Sequence, residues 1–293
     1  MQALFATSIP LSIIVGAPIS GWIMGSMGGG AGFANWQGLF LMQGVPAILV
    51  GLLALFIIVD TPEQARWLND QQNKLVLADL ETDRHAAGTR EHGFGEALKL
   101  PRMWLLVAVY FCGTTSANTL GFWIPSIIHG LGIKSDILIG LFTAVPYVVG
   151  MMGMVLISRH SDRTLERRYH TALPLLACAI GLVAIGLFAN SPMMAFAALV
   201  IAGASPSGGL GVFWTMPTMV LTGSAAAGGI ALINSVGSLS GWVGPSVVGW
   251  MEDVTGKTAT GLYIVAGLEI LGAVLILLFM PRRVMAASGT APK

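Results

Sequence analysis

The sequence predicts an all-α integral membrane protein with about eight transmembrane helices. Three observations support this fold class: the composition, the length of the apolar runs, and the side on which the positive charges fall. Hydrophobic residues make up 55% of the 293 residues and charged residues only 10%, and the mean hydropathy is +0.77. A water-soluble domain of this length has no means of burying so much apolar surface.

Eight apolar runs are long enough to cross a bilayer, because roughly 20 residues at about 1.5 Å each span about 30 Å of hydrocarbon. The first run has no positive leading segment and continues past the length of a signal-peptide core, so we interpret it as a span. The predicted spans are 3–25, 36–59, 103–129, 137–157, 172–189, 193–221, 225–251 and 261–280.

Positive charges fall almost entirely on one side of the predicted membrane. If the spans alternate in direction, the segments 60–102, 158–170 and 281–293 share a side, and they hold 13 of the 15 Lys and Arg residues. Because loops rich in Lys and Arg stay in the cytoplasm, we expect these segments, residue 1 and the C-terminus to be cytoplasmic. The chain is then expected in the bacterial cytoplasmic (inner) membrane.

The segment 60–101 is the longest polar stretch, and we expect a cytoplasmic loop that joins two membrane halves. Thr61, Pro62 and Gln64 predict the N-cap, first position and capping box of a short helix continuing through 66–68. The five histidines lack ligand spacing, and the sequence contains neither a phosphate loop nor a Ser, His and acid arrangement. We therefore expect no metal site, no enzyme activity and no nucleic-acid partner.

Two predicted spans carry polar and helix-disrupting residues. The third contains GTTSAN at 113–118 and then Pro125, and the sixth contains SPSGG at 205–209 and then Pro217. We expect both to kink or break and to border a polar pathway, because irregular backbone at membrane depth is tolerated where protein buries it or where it lines a water-filled cavity. A Phe-Trp pair before a proline recurs in both spans, which indicates either two structural repeats or a chance recurrence.

The turn SRHSDRTLERR at 158–168 contains four arginines and two acids. One interpretation is an orientation signal for membrane insertion. The other is a gating latch, in which Asp162 meets a helix N-terminus or an arginine in one conformation and releases it in another. Both interpretations stay open, and the candidate gating residues are Asp162, Arg163, Arg167 and Arg168.

The same SRHSDRTLERR stretch resembles the loop signature of the major facilitator superfamily. Three further stretches are similar to its anion:cation symporter family, nearest to the tartrate-type organic-acid transporters: WQGLFLMQGVPAILVGLLALFIIVDTPEQARWL, VAVYFCGTTSANTLGFWIPSII and GGIALINSVGSLSGWVGPSVVGWMED. The likeness covers about 3–280, nearly the whole chain.

The resemblance implies a fold of two six-helix bundles, with the eight spans here matching the fifth through twelfth helices of the family. Residues 1–59 would then be the last two helices of the N-terminal bundle and 60–101 the central loop. Residues 102–281 would be the complete C-terminal six-helix bundle and 282–293 a cytoplasmic tail. On this layout we expect the chain to be N-terminally truncated and inactive alone.

The resemblance also implies a function, namely proton-coupled uptake of a small organic anion by alternating access around a midplane site. The expected substrate is a tartrate-like hydroxy acid or a sugar acid, the transporter is expected to be a monomer in the lipid bilayer, and the proton is the coupling ion with no other cofactor. The alternatives are a truncated non-transporting membrane fragment or a transporter of aromatic acids such as phthalate. Some members carry an arginine where this chain has Gly113, so its anion cannot use a cation there.

Candidate cavity residues are the polar and aromatic residues on spans that line the cavity in the family, with interhelical packing as the alternative for each. Asn234, in ALINSVGSL, matches a family asparagine that lies near bound substrate, and its amide can donate to a carboxylate or hydroxyl. For Glu269, deep in the last span, we expect a protonated or locally paired residue without a transport role. The candidates are Asn118, Trp123, Tyr147, Trp214, Asn234 and Ser238.

Overall fold

The computed structural model describes residues 6–26, 34–59, 61–65, 67–87, 98–217 and 224–280. The α-helices within these ranges are α1 Ser8–Ser26, α2 Asn35–Ile57, α3 Asp70–Ala87, α4 Pro101–Gly130, α5 Asp136–Thr164, α6 Arg168–Leu187, α7 Pro192–Phe213, α8 Ser224–Ser238, α9 Ser240–Thr255 and α10 Thr258–Phe279. Residue 1 and the predicted tail 282–293 lie outside the described residues.

Within the described ranges, seven helices are long and apolar enough to cross a membrane: α1, α2, α4, α5, α6, α7 and α10. They match seven of the predicted spans. Helix α2 is apolar around its whole circumference, with Gly38 as its buried residue and Phe56 85% exposed. Because such a surface is stable only against hydrocarbon or protein, the chain is an integral membrane protein.

The remaining predicted span, 225–251, is two shorter helices. Helix α8 ends at Ser238 and α9 begins at Ser240, so the span is interrupted at Leu239. Leu239 keeps a right-handed helical backbone (φ −61°, ψ −24°), and its N–H donates to the Val236 carbonyl in a 3-10-type bond at 3.1 Å.

The expected break in the third span is wrong, because α4 is one uninterrupted helix that continues through Pro125. Its buried hydroxyls bond to its own backbone: Thr115 Oγ1 donates to the Phe111 carbonyl at 2.6 Å, and Thr119 Oγ1 to the Thr115 carbonyl at 2.6 Å. The polar run therefore satisfies itself within a regular helix.

In the sixth predicted span, 193–221, α7 is continuous through SPSGG and Pro206. The expected break is found further on, because α7 ends at Phe213 and 214–216 form a turn before Pro217. Proline has no N–H, so Pro206 leaves the Ala202 carbonyl without its helical donor. The buried Cys178 thiol of α6 donates to that carbonyl at 3.4 Å. A neighbouring helix thus satisfies the group that the proline frees.

The polar segment between the membrane halves differs from its prediction. Residues Pro62–Gln64 form a single 3-10 turn, and the Thr61 side chain makes no capping hydrogen bond. The capping box lies instead at Asn69, whose side chain accepts from Gln72 N–H at 2.8 Å while Gln72 Oε1 accepts from Asn69 N–H at 3.1 Å. It begins α3, an 18-residue helix that lies after the short helix predicted at 62–68.

Helix packing gives the arrangement that positions the site. Helix α1 lies along α5, α6 packs between α7 and α10, and α4 contacts α8, α9 and α10. The approach of α1 to α5 requires glycine on both sides, because a Cβ on Gly21 would meet the Asp136 carbonyl and one on Gly140 the Ala17 carbonyl. Small residues let membrane helices come this close.

Candidate functional site

A cavity of about 440 Å³ lies along one face of α4. Its α4 residues recur at the helical spacing of three and four, which places them in a single stripe. They are Val109, Tyr110, Gly113, Thr114, Ala117, Asn118, Leu120, Gly121 and Phe122. The GTTSAN run thus divides, with Thr114 and Asn118 on the cavity and Thr115 and Ser116 buried in the bundle.

Five further helices complete the cavity wall. Helix α7 contributes Ser207 and Phe213, α6 contributes Thr171, and α5 contributes Tyr147. Residues of α1 and α9 close the remaining sides: Ile9, Pro10, Ile13, Gly241 and Pro245. The wall is mostly apolar with a few hydroxyl and amide groups, which is typical of a small-molecule site.

A line of hydrogen bonds joins α4 to the interrupted span beside this cavity. Asn118 Nδ2 donates to Ser240 Oγ at 2.9 Å, and Ser240 Oγ donates to Thr114 Oγ1 at 3.0 Å. Thr114 Oγ1 in turn donates to the Tyr110 carbonyl at 2.7 Å. The interruption at Leu239 is therefore anchored by the polar face of α4, next to the cavity.

Tyr110 is a cavity residue that the sequence analysis missed. Its ring stacks on Phe213 with centroids 5.1 Å apart and meets the Trp214 ring edge-on at 4.9 Å. Its hydroxyl donates to Asn234 Oδ1 at 3.4 Å. The signal was available, since Tyr110 lies three and four residues before Gly113 and Thr114 on the same helical stripe.

The predicted cavity residues differ in whether they line the cavity. Asn118 and Tyr147 line the cavity itself. Trp123 donates its indole N–H to the Pro245 carbonyl at 3.3 Å. Trp214 and Asn234 do not line the cavity but contact Tyr110, which does. Ser238 Oγ donates to the Asn234 carbonyl at 2.8 Å, so its hydroxyl serves the α8 backbone. Their roles toward a substrate stay predictions.

The predicted gating residues lie at the turn from α5 into α6. Arg167 Nη1 is 2.6 Å from Asp162 Oδ1 and donates to Ser161 Oγ at 2.9 Å. Asp162 is 65% exposed and Arg167 only 14%, so the pair is open to solvent from the acid's side. Arg163 is exposed, and the Arg168 guanidinium lies 5.7 Å from the Tyr169 ring centroid.

Glu166 caps the start of α6 from the same turn. Both of its carboxyl oxygens accept from the Tyr169 backbone N–H, at 2.9 and 3.0 Å. Partial burial raises the pKa of the Glu166 carboxyl, but the hydrogen bonds from Tyr169 and His170 outweigh burial and hold its pKa below the ordinary value. Glu166 is therefore a stable carboxylate at a helix N-terminus.

Glu269 lies fully buried on α10 and does not line the cavity. Ser116 of α4 is the polar side chain that faces it, but within the described residues no donor reaches either carboxyl oxygen with hydrogen-bond geometry. Ser116 is therefore the candidate local partner, and a protonated or locally paired Glu269 without a transport role stays a prediction.

Comparisons with known proteins bear on this fold and site. A family model described as Major Facilitator Superfamily matches residues 1–245. Two relatives from Agrobacterium vitis, each named "Putative tartrate transporter", are 42% identical over 278 residues and 40% identical over 277 residues. These matches cover 95% and 94% of this chain but 61% and 63% of the relatives, so the chain spans about three fifths of their length.

A solved structure agrees in fold. The proton:xylose symporter XylE bound to 6-bromo-6-deoxy-D-glucose superposes with a TM-score of 0.70 over 96% of this chain and 63% of that chain. At 17% sequence identity, this likeness concerns the fold alone. The helices, the extent of the family match and the identity to the relatives lead to one conclusion: this chain belongs to the major facilitator superfamily, a family of transporters and not of enzymes.

Proposed function

We propose that this chain forms part of a secondary transporter that takes up a small organic anion together with protons by alternating access. The expected substrate is a tartrate-like hydroxy acid or a sugar acid, and the expected location is the bacterial cytoplasmic membrane. The observation that carries the proposal is the cavity on the α4 stripe, whose volume of about 440 Å³ lies within the range of small-molecule sites.

The chemistry of the wall favours a hydroxylated substrate. Thr114, Asn118, Ser207 and the two tyrosines offer hydroxyl and amide groups that donate to or accept from hydroxyls and carboxylates. None of the described lining residues carries a charged side chain. The negative charge of an anion must then be balanced by a proton or by groups outside this wall, which supports proton coupling.

The turn at 158–168 supports alternating access. The Asp162 and Arg167 pair joins the end of α5 to the start of α6, with the carboxylate in solvent and the guanidinium largely buried. An ion pair that links two helices in one conformation and separates in another fits the gating interpretation of this turn. The charge pattern of the sequence supports a cytoplasmic location for the turn.

The names of the two relatives support tartrate-like acids as the first substrates to test. A second candidate, aromatic acids such as phthalate, is favoured by one feature, the cluster of Tyr110, Phe213 and Trp214 beside the cavity. Aromatic rings in such a cluster can stack on a planar substrate. A substrate panel should therefore include tartrate, galactonate and phthalate.

The test uses this chain joined to the segment of an Agrobacterium vitis relative that lies outside the matched region. The hybrid is expressed in cells that lack tartrate uptake, and accumulation of labelled acids is measured with and without a protonophore. We expect accumulation of tartrate or a sugar acid that the protonophore abolishes. A hybrid that reaches the membrane but accumulates none of the acids would overturn the proposal.

Two matched serine variants test the cavity. Ser207 lines the cavity, whereas Ser205 on the same helix does not and donates to the Ile201 carbonyl at 2.6 Å. We expect Ser207→Ala to raise KM for uptake and Ser205→Ala to leave it unchanged. Equal effects of the two variants would place the substrate elsewhere. The chain alone serves as a second control, for which we expect no uptake.

A further inference from the structure

Three titratable side chains form a chain of contacts at the turn between α5 and α6. Glu166 Oε2 lies 2.9 Å from His170 Nδ1, and His170 Nε2 lies 2.6 Å from His160 Nδ1. The two imidazole rings are tilted by 40° with centroids 4.9 Å apart. The predicted latch includes neither histidine, so this chain of contacts is a separate feature of the turn.

The contact between the rings limits the number of protons that the pair can hold. A neutral imidazole has one N–H donor and one acceptor nitrogen, whereas an imidazolium has two donors and no acceptor. Because Glu166 is a carboxylate, His170 Nδ1 carries the proton that Glu166 accepts. His170 Nε2 and His160 Nδ1 then share one proton between them.

Two charge states satisfy this arrangement. With both rings neutral, His160 Nδ1–H donates to His170 Nε2. With one added proton, one ring becomes an imidazolium and still donates to the neutral ring, and Glu166 balances its charge. A second added proton leaves two imidazolium rings and no acceptor between them, so the 2.6 Å contact must break.

The surrounding charges come from the turn and the two helices that it joins. Of the other helices packed on α5 and α6, α1 and α7 contain no titratable side chain. The titratable side chains of α10 and α4 are Tyr263, Glu269, Arg102, Tyr110, Cys112 and His129. The charged neighbours on α5, the turn and α6 are Arg159, Asp162, Arg163, Arg167 and Arg168. This positive excess opposes a second proton, while Glu166 favours the first.

We propose that Glu166, His170 and His160 form a binding site for a single proton, and that a second proton separates the two rings and loosens the turn between α5 and α6. The turn is sensitive to such a change. Leu165 has a φ of 53°, the left-handed region that strains a branched side chain, and Ser161 Oγ donates to the Glu166 carbonyl at 2.6 Å. Glu166 also caps α6, so movement of His170 acts on the helix start.

The separation of the two proton-binding steps follows from the ring distance. Two unit charges 4.9 Å apart repel strongly at an effective dielectric constant of about 20. The second proton should therefore bind more weakly than the first, because it adds a second positive charge next to the first. The two steps belong to the pair and not to either ring alone.

The first experiment follows the histidines directly. The full chain, with ¹⁵N-labelled histidine, is placed in lipid nanodiscs, and the ring nitrogens are observed by NMR over about pH 4 to 8, the range around histidine titration. We expect two coupled proton-binding steps shared by the two rings, and not two independent ones. In His160→Asn, whose amide keeps a non-titrating donor near the Nδ1 position, His170 should titrate in a single step.

His129, exposed at the end of α4, provides the matched control, and His129→Gln should retain both coupled steps. Hydrogen exchange of the peptide covering 161–171, corrected for the intrinsic pH dependence, reports the turn. We expect faster exchange below the second step in the unmodified chain and no such change in His160→Asn. Independent single-step titration of both rings, or an unchanged His170 curve in His160→Asn, would overturn the single-proton site. Exchange that does not change across the second step would overturn the loosening of the turn.

Discussion

The close packing of α6 on α7 predicts that a single added methyl group destabilises the protein. Gly181 of α6 faces the α7 backbone, and a Cβ added there would lie 2.6 Å from Ala202 N and 2.9 Å from Ala198 O. Ordinary contact begins at 3.4 Å, and neither backbone atom can rotate away. Gly181→Ala should therefore force the two helices apart by about 0.8 Å, the shortfall at the closer atom.

The expected loss is about 2 kcal/mol of unfolding free energy. One methyl group too many in a packed interior destabilises by about 1–3 kcal/mol, because separation by half an ångström or more forfeits much of the dispersion energy of the facing atoms. At about 2–4 °C per kcal/mol for chains of roughly this size, the melting midpoint should fall by about 4–8 °C.

The assay is thermal unfolding of the purified chain in detergent, with Gly267→Ala as the matched control. Gly267 is also helical, but a Cβ there would meet nothing within 4 Å. The control should melt at or slightly above the midpoint of the unmodified chain, because alanine has the higher helix propensity. Midpoints of the two variants within about 1 °C of each other would refute close packing at this contact.

Three further predictions concern the site and the turn. A double-mutant cycle of Asn118→Ala and Ser240→Ala should give a coupling energy of about 0.6 kcal/mol, which is the average for interhelical hydrogen bonds in membranes. A coupling energy of zero would contradict the hydrogen bond between these two side chains. Glu166 has a lowered pKa, so its stabilising effect is complete above the unfolded value of about 4.3 and is lost as the pH falls. The melting midpoint should therefore drop on acidification more for the unmodified chain than for Glu166→Gln. Tyr110→Phe should lose less than about 1 kcal/mol of unfolding free energy, because it removes only the 3.4 Å hydrogen bond to Asn234. Tyr110→Ala should lose more, because it also removes both ring contacts. Equal losses of the two variants would contradict this difference.

Much of the fold could be predicted from the sequence, because spanning helices need long apolar runs and seven of the described helices match such runs. The position of the interrupted span could not. Glycine, serine and proline at 113–125 and 205–209, together with Pro217, predicted a kink or break in each span. The helices are continuous through 113–125 and 205–209, and the sixth span breaks only at 214–216. Side chains such as Thr115 and Cys178 satisfy the backbone there, and such partners depend on packing that composition does not reveal.

The candidate site shows the same limit. Asn118 and Tyr147 were identified from polarity and resemblance, and they do line the cavity. Tyr110 was overlooked because it precedes the polar run, at a position that resembles an ordinary apolar position of a span. Its importance comes from three contacts with residues about 100 positions or more along the chain. Contacts between distant segments leave no local sequence pattern, so only the helical spacing of Tyr110 to Gly113 and Thr114 indicated that it lies on the cavity face.

The interruption at Leu239 divides the predicted span 225–251 into two short helices. Helices α8 and α9 contain 15 and 16 residues, so each is about 22–24 Å long, less than the roughly 30 Å of hydrocarbon that must be crossed. A straight helix meets a thicker or thinner bilayer by tilting as a whole. We expect this span to adjust at the joint between its two helices as well, next to the bonds that link Ser240 to Asn118 and Thr114.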